Sequence, residues 1–307
     1  MSYQIITDSG CDFTKEKYEA LGLIAAPLTV NFRGETYPDR NDDSLRDMYA
    51  DLRTGEVATT SAVNPEQWQE IMEPLLEKGE DILVLAFSSG LSTTYQSASI
   101  AAQELRERYP ERTISVVDSL CASLGQGLLA YYACKKRDEG LSLGELEQWL
   151  LDNRLHLCHW FTVDDLMYLK RGGRVSAATA IMGTMLNIKP VLHVDNEGHL
   201  INVSKARGRK ASIQAMAKKV AELGAGFDNS VMFISHGDCR EDAEYLAGLL
   251  KEQYGVKEVY INYVGAVIGS HSGPGTLALF FLYHNASPRP CHMPTDSAAN
   301  ARSPSHP

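Results

Sequence analysis

The sequence predicts an α/β protein of two domains: an N-terminal, mainly parallel sheet with flanking helices, then a second α+β domain. Three observations lead to this prediction. At 307 residues the chain exceeds the usual size of one domain. In its first half, short runs rich in Val and Ile alternate with amphipathic segments, which is typical of a parallel sheet with crossover helices. Beyond about residue 160 this rhythm changes.

The elements of the first domain follow in chain order. Its strands are predicted over four apolar runs, Tyr3 to Ile6, Ile24 to Val30, Ile82 to Ala86 and Thr113 to Val117. A helical pattern follows each run, and two helix starts carry capping signals. Asn64 can cap a helix with Pro65 at its first position and Gln67 at its third. Ser142 and Glu145 form a second capping box.

Domain boundaries follow from the same patterns. The first domain is predicted to span residues 1–160 and the second residues 161–284. Residues 285–307 are rich in Pro, Ser, Asn and Ala without periodicity, which predicts a disordered tail. In the second domain a turn-forming tetrapeptide joins two strands, and Asp238 with Glu241 is expected to cap a helix. The two strands joined by the turn are predicted over Val191 to Val194 and Leu200 to Val203. Two further strands, Val231 to Ser235 and Glu258 to Val264, flank the helix predicted over Arg240 to Tyr254.

Composition argues against several classes of function. A net charge of -10 and a pI near 5.4 disfavour a nucleic-acid partner, because such proteins neutralise phosphates with dense Lys and Arg. No apolar run approaches the ~20 residues that span a bilayer, and the first residues lack the basic start of a signal peptide. We therefore expect a cytoplasmic protein without an integral membrane segment.

Cysteine and histidine usage predicts no metal site and no cofactor. The six cysteines form no Cys-x-x-Cys pair, so we expect reduced and mostly buried thiols. His156, Cys158 and His159 could suggest a ligand set. On a strand, however, the side chains of His156 and Cys158 share a face while that of His159 points away.

Hydroxyl-bearing residues cluster where the predicted parallel strands end, and ligands of parallel sheets bind at that edge. Five of the seven positions from Ser88 to Thr94 are Ser or Thr, and Thr59-Thr60-Ser61 precedes a predicted helix. The first loop either caps a helix or forms a site for a carboxylate or phosphate. It lacks the patterns of a nucleotide-binding P-loop and of a hydrolase nucleophile elbow. Asp8, at the end of the first strand, is either catalytic or structural.

His271 lies among glycines, in Gly269-Ser270-His271-Ser272-Gly273-Pro274-Gly275, before a helix predicted from Thr276. The glycines let the backbone pack closely around the imidazole, which favours a binding site over an ordinary polar residue. The ring can donate a hydrogen bond to a carboxylate.

Two basic clusters stand out in this acidic chain, Lys170 to Arg174 and Lys205 to Arg209. They are either solvated charge or a contact surface for a partner, since arginine recognises oxyanions in a forked geometry. Between them, Ala177 to Leu192 mixes small residues with flexible methionines, which is consistent with core packing or with an acyl tunnel.

Taken in order, these motifs resemble the DegV family of fatty-acid-binding proteins. The resemblance covers roughly residues 3–282 and rests on Thr7-Asp8-Ser9, Thr60-Ser61, Ser88 to Tyr95, Lys170 to Ser176, Lys205 to Gly208 and His271 to Gly275. It implies a two-domain protein that holds a long-chain fatty acid, such as palmitate, between its domains. It also implies that a separate fatty acid kinase subunit phosphorylates the bound carboxyl group, so the chain would be a carrier and not an enzyme.

The resemblance also assigns roles to single residues. Thr60, Ser92 and His271 match the positions that bind the fatty acid carboxyl group, with Ser61 and Thr94 as possible supporting residues. No residue is assigned a catalytic role.

Other positions carry the partner prediction and one departure. Arg171 and Arg207 resemble the arginines by which family members dock on the kinase. Thr93 stands where the family usually has glycine, and its side chain is expected to crowd the carboxyl site. Two alternatives stay open. The chain could be a kinase subunit that binds a small carbonyl compound, such as dihydroxyacetone, covalently through His271, or a scaffolding protein that works through its arginine clusters.

Overall fold

The computed structural model describes residues 3–39, 41–176, 187–224 and 229–283. The strands are β1 (Tyr3–Asp8), β2 (Ile24–Ala26), β3 (Thr29–Phe32), β4 (Glu35–Pro38), β5 (Thr59–Ser61), β6 (Asp81–Ala86), β7 (Ile114–Asp118), β8 (Leu157–Thr162), β9 (Ile188–Val194), β10 (Leu200–Arg207), β11 (Val231–His236), β12 (Glu258–Tyr263) and β13 (Leu277–Leu282). The helices are α1 (Lys15–Leu21), α2 (Ser44–Arg53), α3 (Pro65–Glu77), α4 (Thr94–Arg108), α5 (Leu124–Asp138), α6 (Leu143–Asn153), α7 (Leu166–Arg171), α8 (Arg209–Leu223), α9 (Arg240–Tyr254) and α10 (Ala266–Ser272). Short 3-10 helices cover Ser9–Cys11 and Arg154–His156.

A parallel sheet with the strand order β2-β1-β6-β7 forms the centre of the first part of the chain. Ile5 of β1 lies opposite Leu83 of β6, and every residue of β6 is buried. The strand is buried on both faces because two separate apolar clusters pack against the sheet, one containing Leu83 and the other Val84. This sheet confirms the predicted α/β class. The predicted capping boxes at Asn64 and Ser142 are also present.

Residues 24–32 form two strands where the sequence predicts one. Pro27 separates them, because proline cannot donate a backbone hydrogen bond to a strand ladder. β2 stays in the parallel sheet, whereas β3 pairs antiparallel with β4 and β5 in a three-stranded sheet of its own. In that small sheet Thr60 lies opposite Val30, which fixes the position of the first predicted site residue.

The second large sheet has the order β10-β9-β8-β13-β11-β12 and mixes parallel and antiparallel pairs. The predicted hairpin of β9 and β10 is present. β8 pairs with β13 in this sheet, so the proposed division between residues 160 and 161 falls inside a strand. Strand pairing favours a division before Leu157, and the division into domains stays a prediction.

Two local predictions for the C-terminal part are wrong. The helix predicted from Thr276 is the strand β13, whose buried apolar residues pair with β8 and β11 on either side. Asp238 does not cap α9, because the residue at the cap position is Cys239 and it makes no side-chain cap bond. Asp238 instead has a φ of 54°, and its carboxylate accepts a hydrogen bond from Arg53.

The remaining predictions concern the chain ends and the cysteines. The predicted tail at 285–307 and residues 177–186 of the apolar segment lie outside the described residues. Within the described ranges, no helix combines the length and apolarity needed to cross a bilayer. The five cysteines in those ranges are free thiols, and four of them are buried, as predicted.

Candidate functional site

A cavity of about 420 Å³ is lined by residues from both predicted domains. Most of its wall is apolar and includes Leu28, Phe87, Phe161, Leu200, Ile268 and Phe280. A volume of several hundred Å³, an apolar wall and a few convergent polar groups are typical of small-molecule sites. The polar groups here are hydroxyls, two histidines and one arginine.

Thr60 and His271 meet at the wall of this cavity. Thr60 lies on β5 and His271 in the last turn of α10, and 2.7 Å separates Thr60 Oγ1 from His271 Nε2. Gly172 makes room for the imidazole, since a Cβ at that position would lie 2.3 Å from His271 Nδ1. The structure therefore brings two of the three predicted carboxyl-binding residues into direct contact.

The protonation of His271 determines what this pair can do. Burial and, to a smaller extent, the charge of Arg174 lower the pKa of His271 from 6.5 to about 4. At neutral pH the imidazole is therefore neutral and carries a single N–H. When Nε2 donates that hydrogen to Thr60 Oγ1, the Thr60 hydroxyl can donate to a carboxylate in the cavity. The pair can thus hold a carboxyl group through neutral hydrogen bonds.

The loop before α4 contributes Ser92 to the same cavity. Ser92 Oγ lies 2.8 Å from Thr94 Oγ1 and accepts a hydrogen bond from the Thr94 backbone N–H at 3.3 Å. Thr94 is fully buried and holds Ser92 in place, whereas Ser61 lines the cavity directly. Thr93 also lines the cavity, with a φ of -81° that any residue can adopt, so its side chain causes no backbone strain.

Arg174 lines the cavity, although the sequence places it in a basic cluster that is expected to be either solvated charge or a partner surface. Its Nε and Nη2 donate to the carbonyl oxygen of Leu91 at 3.1 and 2.9 Å, and Nη1 donates to the carbonyl oxygen of Gly172. The guanidinium thereby joins the loop that carries Ser92 to the turn that faces His271. In the sequence, Gly173 is the residue that could have indicated this turn. Its φ of 74° after α7 is one that glycine adopts readily.

Arg171 and Arg207, the two predicted docking residues, are exposed to solvent. Arg171 ends α7, with its guanidinium carbon 5.3 Å from the ring centroid of Tyr168, and Arg207 ends β10. Neither is among the residues that line the cavity. A partner could contact both without disturbing the pocket, and their docking role stays a prediction.

Asp8 is held in a structural role. Its two carboxylate oxygens accept backbone hydrogen bonds from Gly10 at 3.0 Å and Phe87 at 2.7 Å. Burial raises the pKa of Asp8 to about 6. Both oxygens are occupied in fastening the ends of β1 and β6, which favours the structural interpretation over the catalytic one.

Asp39 positions the helix that carries His271, and no local sequence pattern points to this role. Its carboxylate accepts hydrogen bonds from Ser9 Oγ at 2.8 Å and from the Val267 backbone N–H at 3.2 Å. Val267 lies in the first turn of α10, so this contact anchors the start of the helix. Burial raises the pKa of Asp39 to about 7.

His159, considered above as a metal ligand, lines the cavity instead. Its ring packs edge-on against Phe280, with centroids 5.4 Å apart, and its Nε2 accepts a hydrogen bond from the Ala122 backbone N–H. Among the described residues, possible metal ligands converge in one group at 195–199, on the turn of the β9–β10 hairpin outside the cavity wall. Exposed acidic groups are common without a bound ion, so this group alone carries no metal assignment.

The chain is similar over most of its length to proteins of one family. A model described as an uncharacterised protein of the DegV family matches residues 2–284. A DegV domain-containing protein of Clostridium perfringens is 43% identical over 288 residues, which are 93% of this chain and 99% of the relative. A solved DegV family protein from Thermus thermophilus, reported with its fatty acid binding, is 32% identical with a TM-score of 0.83, covering 92% of this chain and 100% of that one. The fatty acid kinase B3 protein of Streptococcus pneumoniae, loaded with linoleic acid, shares the fold with a TM-score of 0.80 and 22% identity, at 92% and 100% coverage.

Proposed function

The chain belongs to the DegV family, and we propose that it binds one long-chain fatty acid, such as palmitate, in the cavity described above. The observation that carries the proposal is the contact between Thr60 and His271 at the wall of an apolar cavity. The Thermus thermophilus relative supports the same class of ligand. Burying about 14 methylenes at about 0.8 kcal/mol each contributes on the order of 11 kcal/mol before ordering costs. Such a ligand requires an enclosed apolar site.

In this proposal the carboxyl group is held by Thr60, Ser92 and His271, with Ser61 and Thr94 in support. All these donors are neutral when His271 is unprotonated, as its pKa near 4 implies at neutral pH. Neutral donors satisfy a carboxylate without forming a strong ion pair with it. The carboxyl oxygen would then keep enough nucleophilic character to react with a phosphoryl group.

The chain would present this carboxyl group to a separate fatty acid kinase and would not itself be an enzyme. Arg171 and Arg207 are exposed and would contact the partner through their guanidinium groups. We place this exchange in the cytoplasm, where a kinase finds its ATP. The protein would need no cofactor, because the kinase supplies the phosphoryl group.

Native mass spectrometry of the purified protein tests the ligand. We expect a non-covalent adduct with the mass of a long-chain fatty acid, which disappears on denaturation. A small adduct that survives denaturation and maps to His271 would instead support the covalent carbonyl-binding alternative. Protein that carries no lipid and takes up no added palmitate would contradict the proposal.

A further inference from the structure

The inner wall of the cavity carries a hydroxyl that the carboxyl site leaves unused. Ser272 lines the cavity and is 5% exposed, and its Oγ has no hydrogen-bond partner within the described ranges. Leaving a buried hydroxyl unpaired is unfavourable, and such groups in folded proteins usually have a partner. The unpaired oxygen therefore indicates a partner that enters the cavity from outside.

Two further hydroxyls line the same cavity, one at the start of α5 and the other on β11. Ser123 and Ser235 both line it, and their Oγ atoms are 2.9 Å apart. Ser123 also donates to a carboxylate oxygen of the buried Asp12. Because Ser123 uses its hydrogen on Asp12, Ser235 donates to Ser123, and the Ser235 oxygen keeps a lone pair for an outside donor.

The segment that follows Ser272 links these two hydroxyl positions through the chain. Thr276, itself a lining residue, donates through Oγ1 to the backbone carbonyl of Ser272 at 2.9 Å. Two residues after Thr276, Ala278 of β13 lies opposite Ser235 in the antiparallel register. The chain from Ser272 to Ala278 thus connects the two positions along one side of the cavity.

We propose that the cavity takes a fatty acid with a hydroxyl group on its chain, and that Ser272 and Ser235 recognise this hydroxyl. The inference rests on the proposed function and names the class of fatty acid. A hydroxyl both donates and accepts, so it can accept from Ser272 or donate to Ser235. An unsubstituted chain would leave Ser272 Oγ unpaired. The free-energy penalty of this unpaired group would weaken the binding of the unsubstituted fatty acid.

The test is a competition in native mass spectrometry with lipid-depleted full-length protein. Stearic acid competes at equal concentration with 3-hydroxystearic, 10-hydroxystearic or 12-hydroxystearic acid. We expect at least one hydroxystearic acid to be retained about tenfold over stearic acid, the effect of pairing one buried polar group. In Ser272→Ala that preference should fall to within about twofold.

Ser270→Ala is the matched control, because Ser270 lies on the same helix but donates to the Ala266 carbonyl and does not line the cavity. It should keep the preference. Ser235→Ala should weaken the preference and serves as the second variant if Ser272→Ala fails to fold. Wild-type protein that retains stearic acid equally well would overturn this inference alone, as would a preference that survives both serine variants. Protein that retains no fatty acid at all would overturn the proposed function as well.

Discussion

Gly172 and His271 are in direct apposition: a side chain on the glycine would place its Cβ 2.3 Å from Nδ1 of the imidazole. Gly172 follows α7, while His271 ends α10, so two distant stretches of chain approach closely at the cavity. The backbone of Gly172 has a φ of -71°, which other residues can adopt. The position requires glycine because of the imidazole and not because of its own conformation.

Gly172→Ala should therefore displace His271 and separate its Nε2 from Thr60. We expect fatty acid affinity to fall about tenfold, the effect of losing one good hydrogen bond. Equilibrium binding of a fluorescent fatty acid measures the change. Gly144→Ala is the control, since a Cβ there meets nothing within 4 Å. Equal affinity in wild type and Gly172→Ala would show that the position of His271 does not matter for binding.

Thr60→Val removes the hydroxyl while keeping the branched shape. Fatty acid affinity should drop about tenfold, because a buried carboxylate loses one donor. Thr59→Val is the matched control, since Thr59 is an exposed neighbour on β5 that does not line the cavity. If both variants bind palmitate as wild type does, Thr60 is not part of the carboxyl site.

The depressed pKa of His271 predicts a pH dependence of stability. Its pKa is 6.5 in the unfolded chain and about 4 in the fold, so the unfolded state gains the proton first as pH falls. The free energy of unfolding should therefore decrease between pH 6.5 and 4. His271→Gln should lack this contribution, a difference on the order of 2 kcal/mol after allowing for partial exposure. Urea unfolding of both proteins across this range measures it.

Three other groups must be separated from this effect. His236 has a pKa near 4 and acts in the same direction. Asp8 and Asp39, whose pKa values are raised to about 6 and about 7, act in the opposite direction, because their contributions are lost as pH rises from 3.8 through those values. All three remain in His271→Gln, so the difference between the two proteins isolates His271. Parallel pH profiles would mean that His271 titrates normally in the fold.

Arg171→Ala and Arg207→Ala should leave fatty acid binding unchanged and reduce phosphorylation of the bound fatty acid by a partner kinase at least tenfold, the effect of losing a charge-assisted contact. Arg240→Ala is the control, because Arg240 is exposed on α9 outside both basic clusters. Acyl phosphate formation with added kinase and ATP is the readout. A parallel loss of lipid binding would mean that these arginines support the pocket and not the partner.

Local signals in the sequence were sufficient for much of the fold. The alternation of apolar runs predicted the parallel sheet, and the capping boxes at Asn64 and Ser142 are present as predicted. The split at Pro27 is not predictable from the local pattern, because β2 and β3 join different sheets and tertiary pairing determines this. The sequence of β13 predicts a helix as readily as a strand, because a short apolar run fits either structure.

The candidate site, too, is only partly predictable from the sequence. Residue type indicates the hydroxyl cluster that contains Thr60, local glycines indicate His271, and the family resemblance assigns both to the carboxyl site. Their 2.7 Å contact agrees with a shared role. Arg174 and Ser272 were not singled out, because burial of an arginine or of a serine depends on which distant segment packs over it. For Arg174 that segment is the loop ending at Leu91, and no local pattern encodes their approach.

The most direct test is the lipid extracted from protein as purified, for wild type and for the double variant Ser92→Ala, His271→Ala. Mass spectrometry of the extract should give about one long-chain fatty acid per wild-type chain. In the double variant, with folding verified by circular dichroism, the fatty acid should be largely absent. Wild-type protein without fatty acid, or a folded double variant that retains as much as wild type, would contradict the assignment of the cavity.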